Sequence, residues 1–175
     1  MLLEPSLYSI KSILILDSDG KRIIAKYYDS SFSGPKEQLD FESKLFKKTS
    51  KSVGAEITLL DGATCVYRSS SDVYFYVIGD AAENELLLVS ALNCLYDSVA
   101  QILKRCVEKK TVLDNLDLIF LVVDELCNDG ILMECDPTAL VSRIGTRTED
   151  IPLGEQTVAQ AIQSAKEQLK LSLMK

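Results

Sequence analysis

The sequence predicts an α+β domain, an antiparallel sheet covered on both faces by helices, and two observations carry that prediction. The stretch Val73–Ile78 alternates as a strand does, yet Val73, Phe75 and Val77 on one side and Tyr74, Tyr76 and Ile78 on the other are all apolar or aromatic. A strand with no polar face belongs inside a sheet that is covered twice. The other strand-like stretches succeed one another through short turn clusters, as antiparallel neighbours do, while apolar residues at spacings of three and four mark helices before and after them. A chain of 175 residues suits one such domain, large enough to bury a core without metal or disulfide.

In chain order, Ile10–Asp17 holds Ile13-Leu14-Ile15-Leu16, apolar on both faces, and predicts a second central strand. Asp17-Ser18-Asp19-Gly20 is a turn cluster, so Arg22–Tyr28 returns as the other half of a hairpin. Its faces are mixed, with Ile23, Ala25 and Tyr27 against Arg22, Ile24, Lys26 and Tyr28, which suits a strand nearer the edge. After a break at Ser31–Pro35, Lys36–Thr49 predicts a helix with Phe41 and Leu45 at i, i+4 and Leu39 and Phe46 at i, i+7. Lys44, Lys47, Lys48 and Lys51 at its end complement the negative end of the helix, and a contact with anionic lipid is the competing reading. Glu56–Leu60, the Asp61-Gly62 turn, Thr64–Ser69 and Asp72–Gly79 then form a three-strand meander.

Asn84 is placed to cap a long helix running to about Val107. On its wheel Leu88, Leu92, Leu95, Val99, Ile102 and Cys106 make a core stripe, flanked by Leu87, Ala91 and Cys94 on one side and Val89, Tyr96 and Ala100 on the other. Only Ser90, Asn93, Asp97, Gln101 and Lys104 are left as a polar stripe. An apolar arc of roughly two-thirds of the circumference exceeds what one sheet covers. The two flanks are therefore the candidate partner interface: neighbouring helices cover one, and another chain covers the other. Lys104, Arg105, Lys109 and Lys110 read as helix-end charges.

Leu118–Val123 is an apolar run that periodicity allows as a strand, and the adjoining Asp124-Glu125 is no catalytic pair, since neighbours on one element point apart. Asp136-Pro137 starts a short helix, and Gly145 is placed to end it. The predicted domain is 1–145, followed by a linker, 146–154, and an amphipathic C-terminal helix, 155–175. The stripe Val158, Ile162, Ala165, Leu169 and Leu173 suits that helix to docking on another surface.

Composition narrows the chemistry. The net charge of −7, from 26 acidic against 19 basic residues, argues against a nucleic-acid partner. There is no histidine, the usual general base and metal ligand, and the five cysteines are odd in number with no Cys-x-x-Cys. That is reduced usage, with Cys94 and Cys106 read as structural thiols rather than nucleophiles of a cysteine-dependent enzyme. Gly-rich phosphate cradles are absent too. No catalytic residue, cofactor site or metal site is expected. The beginning of the chain shows no signal peptide, no acylated glycine and no spanning run, so membrane association is expected only through a partner.

Cys65-Val66-Tyr67-Arg68, a four-residue spacer and Val73-Tyr74-Phe75 resemble the signature of the clathrin-adaptor small chains and their coatomer relatives, with Cys65 where an aliphatic is usual and Val73 where Leu is usual. Glu83-Asn84-Glu85-Leu86 resembles the opening of the same helix in that family. Asn115-Leu116-Asp117-Leu118-Ile119-Phe120-Leu121 running into Val123-Asp124-Glu125-Leu126 is similar to the third helix of coatomer zeta subunits, which makes this run helical. Glu4-Pro5-Ser6-Leu7-Tyr8, Ala25-Lys26-Tyr27-Tyr28 and Gly154–Gln160 extend the likeness over nearly the whole chain.

The resemblance implies a longin-like fold with five antiparallel strands between helices, and a non-enzymatic small subunit of the coatomer vesicle coat. It implies direct binding to the gamma-coatomer chain, membership of the coatomer heptamer, and recruitment through an Arf-family GTPase that the larger chains recognise. It also implies Golgi-to-endoplasmic-reticulum and intra-Golgi transport, from the cytoplasm and the periphery of Golgi membranes and coated vesicles. A sigma-type small chain of a clathrin adaptor shares the signature, but begins almost at its first strand and lacks a tail like Gly154–Lys175.

Overall fold

The computed structural model describes residues 7–32, 34–50 and 56–149, with side chains to residue 145. A hairpin of β1 (Ile10–Asp17) and β2 (Arg22–Tyr27) leads to α1 (Pro35–Thr49), then to the meander β3 (Ile57–Leu60), β4 (Ala63–Ser70) and β5 (Val73–Asp80). Next come α2 (Glu85–Ile102), α3 (Lys109–Asp114), α4 (Leu116–Leu126), a small hairpin of β6 (Cys127–Asn128) and β7 (Ile131–Leu132), and α5 (Pro137–Glu149). The sheet is antiparallel throughout, in the order β2-β1-β5-β4-β3. The doubly apolar β5 sits at its centre and the mixed β2 at one edge, as their sequences require.

The two faces of the sheet carry separate cores. Val73, Phe75 and Val77 of β5, with Ile13, Ile15 and Val66, pack under Leu88, Leu92, Leu95 and Val99 of α2 and under Ile119, Val122 and Leu126 of α4. The alternate residues Tyr76 and Ile78, with Leu14, Leu16, Cys65 and Tyr67, pack under Phe41 and Leu45 of α1. Gly79 is where α2 comes closest to the sheet: a β-carbon there would lie 2.8 Å from Leu88 Cδ2 and 2.9 Å from Ser9 O. Asp17, nearly buried at the end of β1, accepts from the N–H groups of Asp19 and Lys21 and from Lys109 Nζ at 2.9 Å, joining the hairpin turn to the start of α3. Burial pushes its carboxyl up, but those bonds outweigh burial and hold it below the ordinary range.

Four sequence expectations are corrected. First, α2 stops at Ile102, not near Val107. Arg105 N–H donates to Ala100 O at 2.7 Å and Lys104 N–H to Gln101 O at 3.2 Å, a Schellman turn that needs a left-handed residue just past the helix. Lys104 (φ +51°) and Arg105 (φ +68°) supply it, each at about 1–2 kcal/mol that glycine would not cost. Cys106, placed in the core stripe by the wheel, is consequently exposed.

Second, α5 runs through Gly145 to Glu149, so the first part of the predicted linker, 146–149, is helical. An interior glycine costs a helix only about 1 kcal/mol relative to alanine and does not stop it unaided. The chain divides between Ile144 and Gly145 into two compact units.

Third, Leu39 is 55% exposed. The partner of Phe41 and Leu45 on the inner face of α1 is Glu42, whose carboxylate takes Arg22 Nε at 3.1 Å, Arg22 Nη2 at 2.6 Å and Tyr27 OH at 2.8 Å. Fourth, α3 and the β6–β7 hairpin were not foreseen, although Asp129-Gly130, both left-handed, is the turn pair that signals such a hairpin. Lys51 and the stripe Val158, Ile162, Ala165, Leu169 and Leu173 lie outside the described residues.

Candidate partner-binding surface

The long helix is positioned at its start by Asn84, whose Oδ1 accepts from Leu86 N–H at 3.0 Å. Its core stripe behaves as the wheel requires over its first three turns, Leu88, Leu92, Leu95 and Val99 being buried. The polar stripe of Ser90, Asn93, Asp97, Gln101 and Lys104 is exposed throughout. The two apolar flanks differ.

Leu87, Ala91 and Cys94 belong to the same apolar cluster as Ile119, Val122 and Leu126 of α4. Ala91 and Cys94 are buried and Leu87 half-buried. The Cys94 thiol reaches Glu134 O just before α5, and burial pushes it up to about 11. This flank is covered by the chain itself.

Val89, Tyr96 and Ala100 stay half-buried over the β4 side of the sheet. Tyr96 stands edge-on to Phe75 with ring centroids 5.4 Å apart, and its hydroxyl bonds Ser70 Oγ at 3.2 Å. Arg68, the basic residue of the β4 signature, lays its guanidinium carbon 3.7 Å above the Tyr96 ring. Its Nη1 reaches Asn93 Oδ1 at 3.4 Å and Asp97 Oδ1 at 3.7 Å. A cation over an aromatic face with carboxylate and amide behind it is a polar lid, so this end of the flank is closed.

Further apolar surface is exposed on α2 and on the edge strand β3. Leu59 pairs with Thr64, which pairs with Gly79 under Leu88, so Leu59 on the edge strand β3 faces the α2 side of the sheet, two strands from where Leu88 meets it. Leu86 on α2 is 78% exposed, and Leu59 and Ile57 on β3 are 58% and 40% exposed. Ile57 faces the same way as its partner Val66, a residue of the α2-side core. Leu86, Ile57 and Leu59 are surface residues that sequence reasoning missed. The wheel set Leu86 outside both flanks, and only the pairing register shows on which side of the sheet Ile57 and Leu59 point.

Among the described residues the thiols and carboxylates are engaged separately. Cys65 is buried, its thiol pushed up to about 12, and burial raises Cys127 as well. Asp124 is ion-paired to Lys26 and Glu125 lies 4.0 Å from Arg143, so the adjacent carboxylates serve separate ion pairs. Among the described residues no cluster of three or more potential metal ligands occurs, and no helix is long and apolar enough to cross a membrane. On α1, Lys44 pairs with Asp40 and Asp61, and Lys48 donates to Leu59 O, so these two lysines tie the helix end locally.

Comparison with known proteins agrees with this architecture. Residues 9–150 match the model of the clathrin adaptor complex small chain. The chain is 53% identical to coatomer subunit zeta-1 of Homo sapiens and of Bos taurus, over 100% of this chain and 98% of theirs. It is 42% identical to coatomer subunit zeta-2 of Arabidopsis thaliana, over 94% of this chain and 95% of that one. In structure it resembles a chain from a homology model of the full-length AP-3 complex in a stretched open conformation, with a TM-score of 0.64 at 14% identity, covering 80% of this chain and 94% of that one.

Proposed function

The chain belongs to the clathrin adaptor small-chain family and, within it, to the coatomer zeta subunits, and from that premise we propose that it is the small, non-enzymatic subunit of the coatomer coat that binds the gamma-coatomer chain directly. The observation that carries this reading is the 53% identity to zeta-1 along the entire chain. The likeness to an adaptor-complex chain at 14% identity reflects the shared fold, and nothing favours the sigma-type alternative.

In this role the protein joins the rest of the coatomer heptamer through the gamma chain. It reaches Golgi membranes and coated vesicles from the cytoplasm only within that assembly, which an Arf-family GTPase recruits through the larger subunits. It serves Golgi-to-endoplasmic-reticulum and intra-Golgi transport, with no catalysis, cofactor or nucleic-acid partner. The gamma chain covers the Val89 flank of α2, and the exposed Leu86 of α2 and Ile57 and Leu59 of β3 are further apolar surface open to it. Exposed apolar side chains on one side of a sheet are what an interaction site would use. Residues 155–175 act as a second docking element through the Val158–Leu173 stripe.

Affinity purification of the tagged full-length chain from cytosol, followed by identification of stoichiometric partners, tests the reading. Coatomer chains, gamma among them, are expected. Recovery of clathrin-adaptor large chains instead overturns it.

A further inference from the structure

The turn that ends α2 places two cations where glycine is the ordinary choice. Lys104 and Arg105 both hold left-handed backbone conformations, and their side chains, with Asp97, Ala100, Gln101 and Pro137, line a cleft of about 500 Å³. The other arginines whose side chains are described all have carboxylate partners: Arg22 has Glu42, Arg68 has Asp97 and Arg143 has Glu134. Lys104 and Arg105 have none among the described residues, in a chain whose net charge is −7. Asp97, the one carboxylate of the cleft, is already engaged by Arg68 at 3.7 Å.

We propose that this cleft binds a phosphomonoester anion, carried on a lipid headgroup or free in solution. Two adjacent cations and the Gln101 amide offer several donors to one multivalent group, as phosphate recognition requires. The volume suits a phosphate with an attached glycerol or polyol, whereas a lone carboxylate would leave most of it to water. The helix end opposes an anion less than a bare terminus does, because the Val99, Ala100 and Gln101 carbonyls are taken by the N–H groups of Leu103, Arg105 and Lys104. Helix termination by itself does not account for the pair: glycine at 104 and 105 would make the same turn without strain, so the side chains are what the position retains.

The test rests on that substitution and is independent of which chain covers α2. The full-length protein and its Lys104→Gly/Arg105→Gly variant are titrated with inorganic phosphate while the backbone amides of Gln101, Lys104 and Arg105 are followed by NMR. Both are also sedimented with phosphatidylcholine vesicles containing phosphatidic acid or, separately, phosphatidylserine.

The wild type is expected to show saturable shifts at these amides. The glycine variant is expected to bind at least tenfold more weakly while melting no lower. Tenfold tighter binding of phosphatidic acid vesicles by the wild type than by the variant assigns the headgroup, and phosphate shifts without vesicle binding assign a soluble phosphate. Arg105→Lys should stay within about threefold of wild type, since charge rather than a fork-shaped pair is used. If the glycine variant misfolds, Lys104→Gln/Arg105→Gln replaces it and should show the same loss. Four results overturn the proposal: no response to either ligand, equal binding by the neutral variants, equal binding of phosphatidylserine, or tighter binding of a hexaglutamate peptide than of phosphate.

Discussion

The two faces of the sheet are closed in different ways. The α2 face is sealed by apolar mass: α2 and α4 lay Leu88, Leu92, Leu95, Ile119 and Val122 over Ile13, Ile15, Phe75 and Val77 with no charge among them. The α1 face is sealed by one helix whose mean hydropathy is low, and the buried carboxylate of Glu42 does part of what apolar residues do opposite. That difference teaches where orientation comes from. Apolar packing sets the depth of a helix on a sheet, whereas Glu42, held by two bonds from Arg22 and one from Tyr27, fixes α1 against β2 at one place.

The largest effect is expected on the apolar face. Leu95→Ala removes a fully buried side chain and should destabilise by about 2–5 kcal/mol in denaturant unfolding, with the m-value kept. On the α1 face, Glu42→Ala should cost about 2–4 kcal/mol, because the Arg22 guanidinium loses its carboxylate while only partly able to reach water. Glu42→Leu with Arg22→Leu should restore most of it. If Glu42→Ala proves as mild as a surface change, the network does not orient α1 and the contrast between the faces fails.

A third test compares the flanks of α2. Leu87→Glu, on the side closed by α4, should lower the melting temperature by several degrees, since an unpaired carboxylate enters a half-buried site. Val89 is half-buried on the same core, so Val89→Glu should lower the melting temperature by a similar amount, and it should in addition lose co-purification with the gamma chain. If both variants fold and both still bind, the open flank is not the interface.

The smallest effect is pH-linked. Asp17 is held below the ordinary carboxylate range in the folded chain. Its contribution is therefore complete above about pH 4 and is lost as pH falls through the lower folded-state value. Asp17→Asn should lower stability at neutral pH and flatten the acid limb, and an unchanged acid limb would remove Asp17 from the account.

Much of this was legible because it depends on local periodicity. Val73–Ile78 reads as a central strand from its own residues, and a doubly apolar strand has nowhere else to go. Asn84 reads as a cap because its side-chain oxygen can accept from an unpaired N–H at the start of an apolar helical run. The partner-facing surface was half legible. The wheel found both flanks of α2 but not which one the chain covers itself, because α4 and β4 reach α2 only through the order of the sheet and the path of the chain.

The sequence by itself determined the five strands of the main sheet, the starts of α1, α2 and α5, and the lack of catalytic histidine, since each is written in residue types at short spacing, while the helical reading of α4 came from the family resemblance. Tertiary structure decided the rest. It ended α2 at Ile102 without glycine or proline, because Leu103 and Val107 are both buried and Lys109 is held at the sheet end by Asp17 through its ammonium and by Asp72 through its N–H. The chain must turn between them whatever the local preference. It carried α5 through Gly145, whose small helix penalty is no stop signal by itself. It also buried Glu42 and exposed Leu39 on one helix, because Arg22 and Tyr27 of the facing strand donate to Glu42, and a buried carboxylate with three donors is stable where a lone one is not.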